Sequence, residues 1–420
     1  MITRGVSHME LLTKKDYWRY TFILMAGLGI SNIGAWIYLL SLNLLLYDMT
    51  GSPLSIVILY TLGPLAALFT NSWSGSMIDR NSKRTLMIVL DVVRALIILL
   101  IPFISTVWVI YLTAFLINIA NAMFKPASMV YITKLIPEEH RKKFNSLYSV
   151  MTSGAFLIGP AIAGLLFIVS SPVFALYFTG AAFLLSSIAT WFMPEVEQAT
   201  IPDNNKSSSS LLLVKEDWTL VVEFTRKHIA VFMIYLLFNG TMMVLATAVD
   251  SLEAVFSLEV LHLSNSEYGF LVSIAGAGIA AGSLCNMIYA RWFSLFKLMG
   301  FGTLFVSGGY VIFAFSANFT LAAIGCFTLA FFISFANTGY LTFYQNNIPA
   351  EVMGRVGSIY GLMEALLIIV ATLTLGALSE LVSVQIAVRA GTLAMVLTAV
   401  SLIGYLYLSK GGSSLIKPGQ

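Results

Sequence analysis

The stretch Gly75-Ser-Met-Ile-Asp79-Arg80-Asn-Ser-Lys83-Arg84 separates two long apolar segments of the chain. Residues 49–78 carry no charge, and an apolar helix of that length can cross a hydrocarbon core about 30 Å thick. Four charges then follow within six positions, and three of them are basic. Because basic residues near helix ends resist translocation, the stretch predicts a turn on the cytoplasmic surface of a membrane.

The composition of the whole chain points the same way. Hydrophobic residues make up 58% of it and charged residues only 10%, with a mean hydropathy of +0.88, whereas soluble domains carry about 25% charged residues. Lipid cannot satisfy backbone polar groups, so only helices or closed barrels span it, and continuous apolar runs select helices. The chain is therefore predicted to lie in a lipid bilayer, which excludes soluble enzymes and nucleic-acid binders.

The apolar runs predict an all-α integral membrane protein with about twelve transmembrane helices in two six-helix bundles. The second helix is expected over Pro53–Ile78. Three of the 23 Lys and Arg residues lie within helices (Arg94, Lys125 and Arg389), and the other 23 − 3 = 20 fall on one face, which predicts two cytoplasmic termini. The predicted segments are a cytoplasmic N-terminal segment (1–17), a six-helix bundle (18–193), a cytoplasmic linker (194–227), a second bundle (228–409) and a cytoplasmic tail (410–420).

The residue types that bind metals and cofactors are scarce and scattered. Cys285 and Cys326 both lie inside apolar runs, and no two of the four histidines have the spacing of metal ligands. A Gly-Lys-Ser/Thr nucleotide loop is absent from the sequence. The sequence therefore predicts no metal, no cofactor and no catalytic residues, and any transport must be secondary.

Two segments of the sequence match at a fixed offset. Ile136-Pro137 and Tyr148 correspond to Ile348-Pro349 and Tyr360, each 212 positions later (348 − 136 = 212). Half the chain length separates the copies, so the two bundles are predicted to be duplicates. Two similar bundles can move about a central site, as alternating access requires, which favours a transporter.

Several separated motifs together resemble one known family. They are Asp48-Met-Thr-Gly-Ser-Pro53, the Gly75–Arg84 stretch, Asp91-x-x-Arg94 and Gly354-Arg355-Val356. In these the chain resembles the major facilitator superfamily, specifically its bacterial branch of macrolide efflux proteins and enterobactin exporters. The resemblance implies a multi-pass protein of the bacterial cell membrane that works as a monomer and exports amphipathic or hydrophobic small molecules by proton antiport. An importer of a small metabolite on the same fold is the alternative, and a non-transporting receptor or scaffold is a third.

The same resemblance implies a gating loop made of Gly75, Asp79, Arg80, Lys83 and Arg84. In the family the loop acid acts as a latch that holds the two halves together on the cytoplasmic side, so Asp79 is expected to do so here. This chain departs from the family pattern at Ser82 and Lys83.

Two further sets of motif residues have expected roles in gating. Asp91, Arg94 and Arg355 are expected to support the loop. Gly159-Pro160-Ala-Ile-Ala-Gly164 resembles the antiporter motif of drug exporters, whose small residues and kink could seal the halves in one state. The alternative is an ordinary close-packed kink.

Charged residues at membrane depth are costly and are functional candidates by default. Glu364 and Lys125 are expected near the middle of the membrane, and Glu364 is the first choice for a proton acceptor, with a structural ion pair as the competing interpretation. Asp250 and Glu253 lie on one helix face and are expected near the external surface, where they could shape a vestibule.

Overall fold

The computed structural model describes residues 14–70, 73–196 and 210–411, and within these ranges the side chains of 14–17, 76, 79, 138, 139, 142, 210–217, 350, 351 and 409–411 lie outside the description. This part of the chain consists of helices joined by short turns and contains no strand. The α-helices are α1 Lys14–Thr50, α2 Pro53–Thr70, α3 Ser74–Arg80, α4 Lys83–Leu100, α5 Val107–Leu135, α6 Glu138–Val169, α7 Pro172–Trp191, α8 Ser210–Lys227, α9 Ile229–Asn239, α10 Ala246–Asp250, α11 Glu253–Val255, α12 Asn265–Tyr289, α13 Leu295–Ala314, α14 Phe319–Asn347, α15 Ala350–Leu381 and α16 Val384–Gly411.

Twelve membrane spans, built from these helices, are long and apolar enough to cross a membrane within the described residues. The predicted all-α membrane fold and the number of its spans are therefore confirmed. The predicted terminal segments lie largely outside the described residues, as does the linker between 197 and 209.

The predicted second helix, Pro53–Ile78, is wrong in its extent. The structure ends α2 at Thr70 and forms the separate short helix α3 over Ser74–Arg80. The turn is confined to Asn81, whose backbone is extended, and to Ser82, whose hydroxyl accepts a hydrogen bond from the Thr85 amide at 3.3 Å. Hydropathy predicts roughly where the chain crosses the membrane. The exact start of α4 is set by Ser82, because serine is a favoured residue at the N-cap of a helix.

The internal repeat extends to the helix boundaries. Five helices of the first half begin 212 residues before five of the second half, for example Lys83 and Leu295 (295 − 83 = 212). For α5 with α14 and α6 with α15, the last residues match at the same offset as well. The pairs are α2 with α12, α4 with α13, α5 with α14, α6 with α15 and α7 with α16. The register of the duplication is thus kept from the second span to the last.

Contacts within the chain define two compact units. Unit 1 contains residues 1–42 and 69–202, and unit 2 contains residues 43–68 and 203–420. Residues 43–68, which the sequence order assigns to the first bundle, therefore group with the second half. Two of the three dividing points fall inside helices, between Leu42 and Asn43 of α1 and between Leu68 and Phe69 of α2.

Each unit packs around its own interior. In unit 1 the largest fully buried side chains include Tyr131 and Phe144, which belong to a cluster with residues of α1, α4 and α5. In unit 2 small residues bring helix backbones together: a Cβ on Gly278 would lie 2.5 Å from the Phe327 carbonyl oxygen, so α12 and α14 approach too closely for any larger residue there.

Candidate functional site

The predicted gating residues of unit 1 lie on α3 and at the start of α4. Gly75 and Arg80 are exposed, and a Cβ added to Gly75 would meet no atom within 4 Å, so packing does not require glycine there. The side chain of Asp79 lies outside the described residues. Lys83 is buried, and its Nζ donates to the Asn81 carbonyl at 3.1 Å, across the turn between α3 and α4.

Arg84 connects the start of α4 to the segment after α7. Its guanidinium donates to the Trp191 carbonyl and pairs with the Glu195 carboxylate, with Nη1 and Oε2 at 3.4 Å. Ser82 also donates to Glu195. Both chain segments belong to unit 1, so these contacts hold the α3–α4 turn to its own unit.

Asp91 and Arg94 form a buried ion pair in the interior of unit 1. Ser186 of α7 donates to the second Asp91 oxygen at 2.7 Å, and Arg94 donates to the Asn121 side chain of α5 at 2.6 Å. The Arg94 guanidinium also lies between two aromatic rings, Phe124 at 4.4 Å and Phe183 at 4.5 Å from its Cζ. The pair thus joins α4 to α5 and α7 and is electrically neutral as a whole.

The Gly159–Pro160 segment of α6 packs against α1 within unit 1. A Cβ on Gly159 would lie 2.7 Å from Trp36 Cβ and 3.2 Å from the Ile33 carbonyl oxygen. Pro160 and Gly164 are buried. The small residues therefore let α6 approach α1 closely, as small residues do in membrane helices.

Glu364 of α15 lies in unit 2 among tyrosines. Its Oε2 accepts a hydrogen bond from the Tyr235 hydroxyl at 2.9 Å, and the Tyr235 and Tyr360 rings lie 4.6 Å apart, centroid to centroid. Tyr340 and Tyr344 of α14 complete this group. We call these five residues the Glu364 cluster.

Neutral contacts hold the rings of the Glu364 cluster in place. Tyr340 stacks on Phe238 with centroids 4.2 Å apart and accepts a hydrogen bond from Asn239 at 2.9 Å. Tyr360 shares a hydrogen bond with Thr225 of α8 at 2.9 Å. The Tyr235 hydroxyl thus donates to the Glu364 carboxylate, whereas those of Tyr340 and Tyr360 bond to Asn239 and Thr225.

A second acidic group of unit 2, the acid pair, consists of Asp250 and Glu253. The Tyr310 hydroxyl donates to Asp250 Oδ1 at 2.8 Å. Tyr60 and Tyr268 lie close enough to interact electrostatically with both carboxylates. Two π-helical segments flank the pair, Gly240–Leu245 and Phe256–Val260, and π-helical turns occur frequently at functional sites.

The environment of Glu253 favours its protonated form. Burial raises the pKa of the Glu253 carboxyl, and the neighbouring Asp250 carboxylate raises that pKa further. Among the residues that the structure describes, no Lys, Arg or His acts on Glu253, Asp250 or Glu364. The raised pKa brings the Glu253 carboxyl closer to the pH range in which it can take up and release a proton.

The remaining predicted residues are separate from these groups. Lys125 lies in α5 of unit 1 with an exposed side chain, next to Pro126. Arg355 is exposed near the start of α15. Neither lies in the Glu364 cluster or the acid pair.

Sequence reasoning missed the tyrosines. It identified Glu364, Asp250 and Glu253 by their charge, but their hydrogen-bond donors come from α9 and α13, and further neighbouring tyrosines come from α2, α12 and α14. One signal was present: Tyr360 precedes Glu364 by four residues, and Tyr340 precedes Tyr344 by four, which places each pair on one helix face. Polar aromatic residues recurring at helical spacing in apolar helices would have indicated the cluster.

Comparison with protein-family models adds independent information. A model described as "Major Facilitator Superfamily" matches residues 24–372. The match covers most of the chain. It includes, wholly or in part, the first eleven of the twelve spans, and it extends across the linker.

Individual relatives agree with the family model at low identity. An uncharacterised MFS-type transporter, YfiS, of Bacillus subtilis is 25% identical over 91% of this chain and 92% of its own length. Macrolide efflux protein A of Streptococcus pyogenes is 22% identical over 84% of this chain and 88% of its own length. Among solved structures, an inward-facing bacterial homologue of the human lysosomal transporter Spinster matches with a TM-score of 0.71 at 14% identity, covering 97% of this chain and all of that one.

Proposed function

This chain belongs to the major facilitator superfamily and is a multi-pass membrane transporter, and from that premise we propose that it exports amphipathic or hydrophobic small molecules in exchange for protons. Efflux is supported by the relatives named for it, since one is a macrolide efflux protein. Family membership supports a transporter rather than an enzyme. Drug, macrolide and siderophore types of substrate all fit the proposal.

The proposal that protons are exchanged rests on three acids of unit 2 on which none of the described basic groups acts. Asp250, Glu253 and Glu364 accept hydrogen bonds from tyrosines or lie near them, and no described basic group acts on them. A carboxyl paired with Arg or Lys stays ionised, whereas one held by neutral donors at membrane depth is neutral until a proton leaves. These three acids therefore have the chemistry that a proton carrier needs.

An importer of a small polar metabolite is the alternative within the family. Such a substrate would require several polar groups placed around it, but the Glu364 cluster offers mainly aromatic rings and phenol hydroxyls. We therefore favour a weakly polar ligand. A receptor or scaffold role has no comparable support.

The gating part of the proposal concerns α3 and Asp79. We propose that Asp79 acts as a latch, that the protein works as a monomer in a bacterial cell membrane, and that both termini are cytoplasmic. Asp79→Asn should then leave the amount of folded protein unchanged and lower transport strongly. Unchanged transport would remove the latch from the proposal.

The experiment for the main proposal is flux in proteoliposomes under an imposed pH gradient. A panel of a macrolide, a siderophore, a cationic dye and a sugar is tested as substrate, with internal pH followed in parallel. Movement of a lipophilic compound against a counterflow of protons is the expected result. Uptake of the sugar would instead favour the importer, and flux without any proton movement would remove the antiport.

A further inference from the structure

Two apolar grooves on unit 2 meet at one lysine, Lys297, close to the start of α13. We propose that they form a binding site for an anionic phospholipid, with the phosphate of the lipid at Lys297 and its acyl chains in the grooves. The lining residues come from α13, α14, α16 and the turn before α13, all within unit 2. None of them belongs to the Glu364 cluster or the acid pair, so the proposal concerns a separate part of the protein.

The larger groove lies between α13 and α14 and contains about 370 Å³, within the range of about 300–1,000 Å³ typical of ligand sites. Its wall is mainly aromatic, and Phe305 of α13 stacks on Phe332 of α14 with ring centroids 4.6 Å apart. Phe305 is eight residues after Lys297 (305 − 297 = 8), which is about 12 Å further along the helix. An acyl chain that enters beside Lys297 can therefore lie along α13 as far as this aromatic pair.

The smaller groove lies between α13 and α16 and contains about 60 Å³, so it takes only part of a chain. Lys297 and Phe301 line both grooves. They are four residues apart and therefore neighbours on one side of α13, where they form the ridge between the grooves. Two chains that diverge from a single headgroup fit such a ridge, and this is the shape of a phospholipid.

The charges around Lys297 favour a negatively charged headgroup. Residues 268–350 contain no Asp or Glu, and their only charged residues are Arg291 and Lys297. The sequence of α16, the third helix of the site, contains no acid either. Both basic side chains are exposed, and within the described ranges neither has an ion-pair partner. A lipid phosphate supplies the negative charge that this part of the protein lacks.

The position of Lys297 along the chain is that of a headgroup contact. One span ends at Trp292 and the next begins at Leu295, so Lys297 is the third residue of its span, from which a lysine side chain can reach the membrane surface. Tyr289 and Trp292 are exposed beside the same turn, and such aromatic residues concentrate at the interface between membrane and water. The base therefore lies at the depth of the headgroups, and the grooves extend from it into the hydrocarbon.

The test is native mass spectrometry of the full chain in detergent, with dioleoyl phosphatidylglycerol and dioleoyl phosphatidylcholine added in equal amounts. The two lipids have identical chains and differ in the net charge of the head. A basic residue near an anionic headgroup contributes about 1 kcal/mol, so we expect one phosphatidylglycerol to bind with about fivefold preference. Equal occupancy by the two lipids would overturn the proposal.

Glycerol phosphate distinguishes a lipid from a free phosphate as the ligand, because it has the charged group without the chains. A large excess of it should displace none of the bound phosphatidylglycerol. Displacement would assign the basic residue to a soluble anion and remove the lipid site.

Three variants test whether Lys297 selects the head. Lys297→Gln should abolish the preference for phosphatidylglycerol, and Lys297→Arg should retain it. The matched control is Lys227→Gln: Lys227 is an exposed lysine of unit 2 close to the start of the span at Ile229, but it lines neither groove. Preference retained in Lys297→Gln, or an equal loss in Lys227→Gln, would contradict the site.

A photoreactive lipid tests the position of the chains. Phosphatidylglycerol with a diazirine in one acyl chain is incorporated into nanodiscs that contain the full chain, and the crosslinked peptides are identified by mass spectrometry. Crosslinks should concentrate on α13, α14 and the last turns of α16, and Lys297→Gln should reduce them by about the same fivefold factor. Crosslinks spread evenly over the spans, or unchanged in the variant, would show that the grooves hold no specific lipid.

Discussion

Unit 1 contains a buried acid, Asp91, and unit 2 contains three half-buried acids, and the two units accommodate them in opposite ways. In unit 1 Asp91 is fully buried with Arg94 beside it and Ser186 as a second donor. In unit 2 Asp250 and Glu364 accept hydrogen bonds from tyrosine hydroxyl groups, and Glu253 lies beside Asp250. No described basic group acts on any of these three.

The different partners of these acids indicate different roles in the protein. A buried ion pair is neutral overall, and losing one partner leaves an uncompensated charge, so such a pair is held permanently. A carboxyl with only neutral donors can be neutral or charged, and the balance can change with the access of water. The comparison therefore assigns a structural role to the acid of unit 1 and a titrating or ligand-binding role to the acids of unit 2.

The largest expected effect comes from breaking the neutral pair. Arg94→Met should destabilise the protein by about 3–5 kcal/mol, because Asp91 would remain buried without its base. Thermal unfolding in detergent, followed by the amount of monodisperse protein, measures the change. The double variant Asp91→Leu with Arg94→Met removes both charges and should recover much of the loss. A double variant as unstable as the single one would show that the charge pair is not what stabilises this interior.

Removing a charge from unit 2 should have the opposite effect: the protein should remain stably folded but lose transport activity. Asp250→Asn preserves shape and can still accept the Tyr310 hydrogen bond, but it cannot carry a proton. We expect proton-driven export to fall by about 5- to 150-fold, the range of a coupling free energy of 1–3 kcal/mol. Flux and internal pH in proteoliposomes measure this, with Glu223→Gln, an exposed acid of α8, as the matched control. Full coupling in Asp250→Asn would transfer the proton role to another acid.

How far the sequence predicts this contrast depends on the property concerned. Twelve spans and the duplication follow from hydropathy and from the 212-residue offset, because both are properties of the chain itself. The Asp91–Arg94 contact could be anticipated from the spacing of three residues on one helix. The surroundings of Asp250 could not, because depth counted along a helix does not show which neighbouring helices pack beside it. The π-helical segments that flank the acid pair leave no recognisable pattern in the sequence either.

A pH dependence of stability should distinguish the two units more finely. Burial and the Asp250 charge raise the pKa of Glu253 above its ordinary value of about 4.3. The folded state then holds a proton that the unfolded state has released, so this carboxyl lowers stability as pH rises from the ordinary to the raised pKa. The loss is about 1.4 kcal/mol for each unit between the two values.

The measurement is the unfolding temperature of wild type and Glu253→Gln across that pH window. The variant cannot ionise, so it should gain relative to wild type as the pH increases and match it in acid. A constant difference at every pH would mean that Glu253 keeps one protonation state, and its part in proton transport would be lost.

The smallest effect is expected at Lys125, which tests whether the contrast also holds for a base. Lys125 is exposed on α5 of unit 1, and among the described residues it has no ion-pair partner. In this comparison Arg94 contributes to stability through its ion pair with Asp91. A base without an acidic partner should contribute little to stability, so Lys125→Gln should change the free energy of unfolding by no more than about 0.5 kcal/mol. Export of a cationic probe should change less than about twofold, because the acids proposed to exchange protons all belong to unit 2, whereas Lys125 belongs to unit 1. The same flux assay with an anionic probe provides the control: a loss confined to the anion would make Lys125 a selectivity residue of unit 1, and a loss with both probes would place it in the transport machinery.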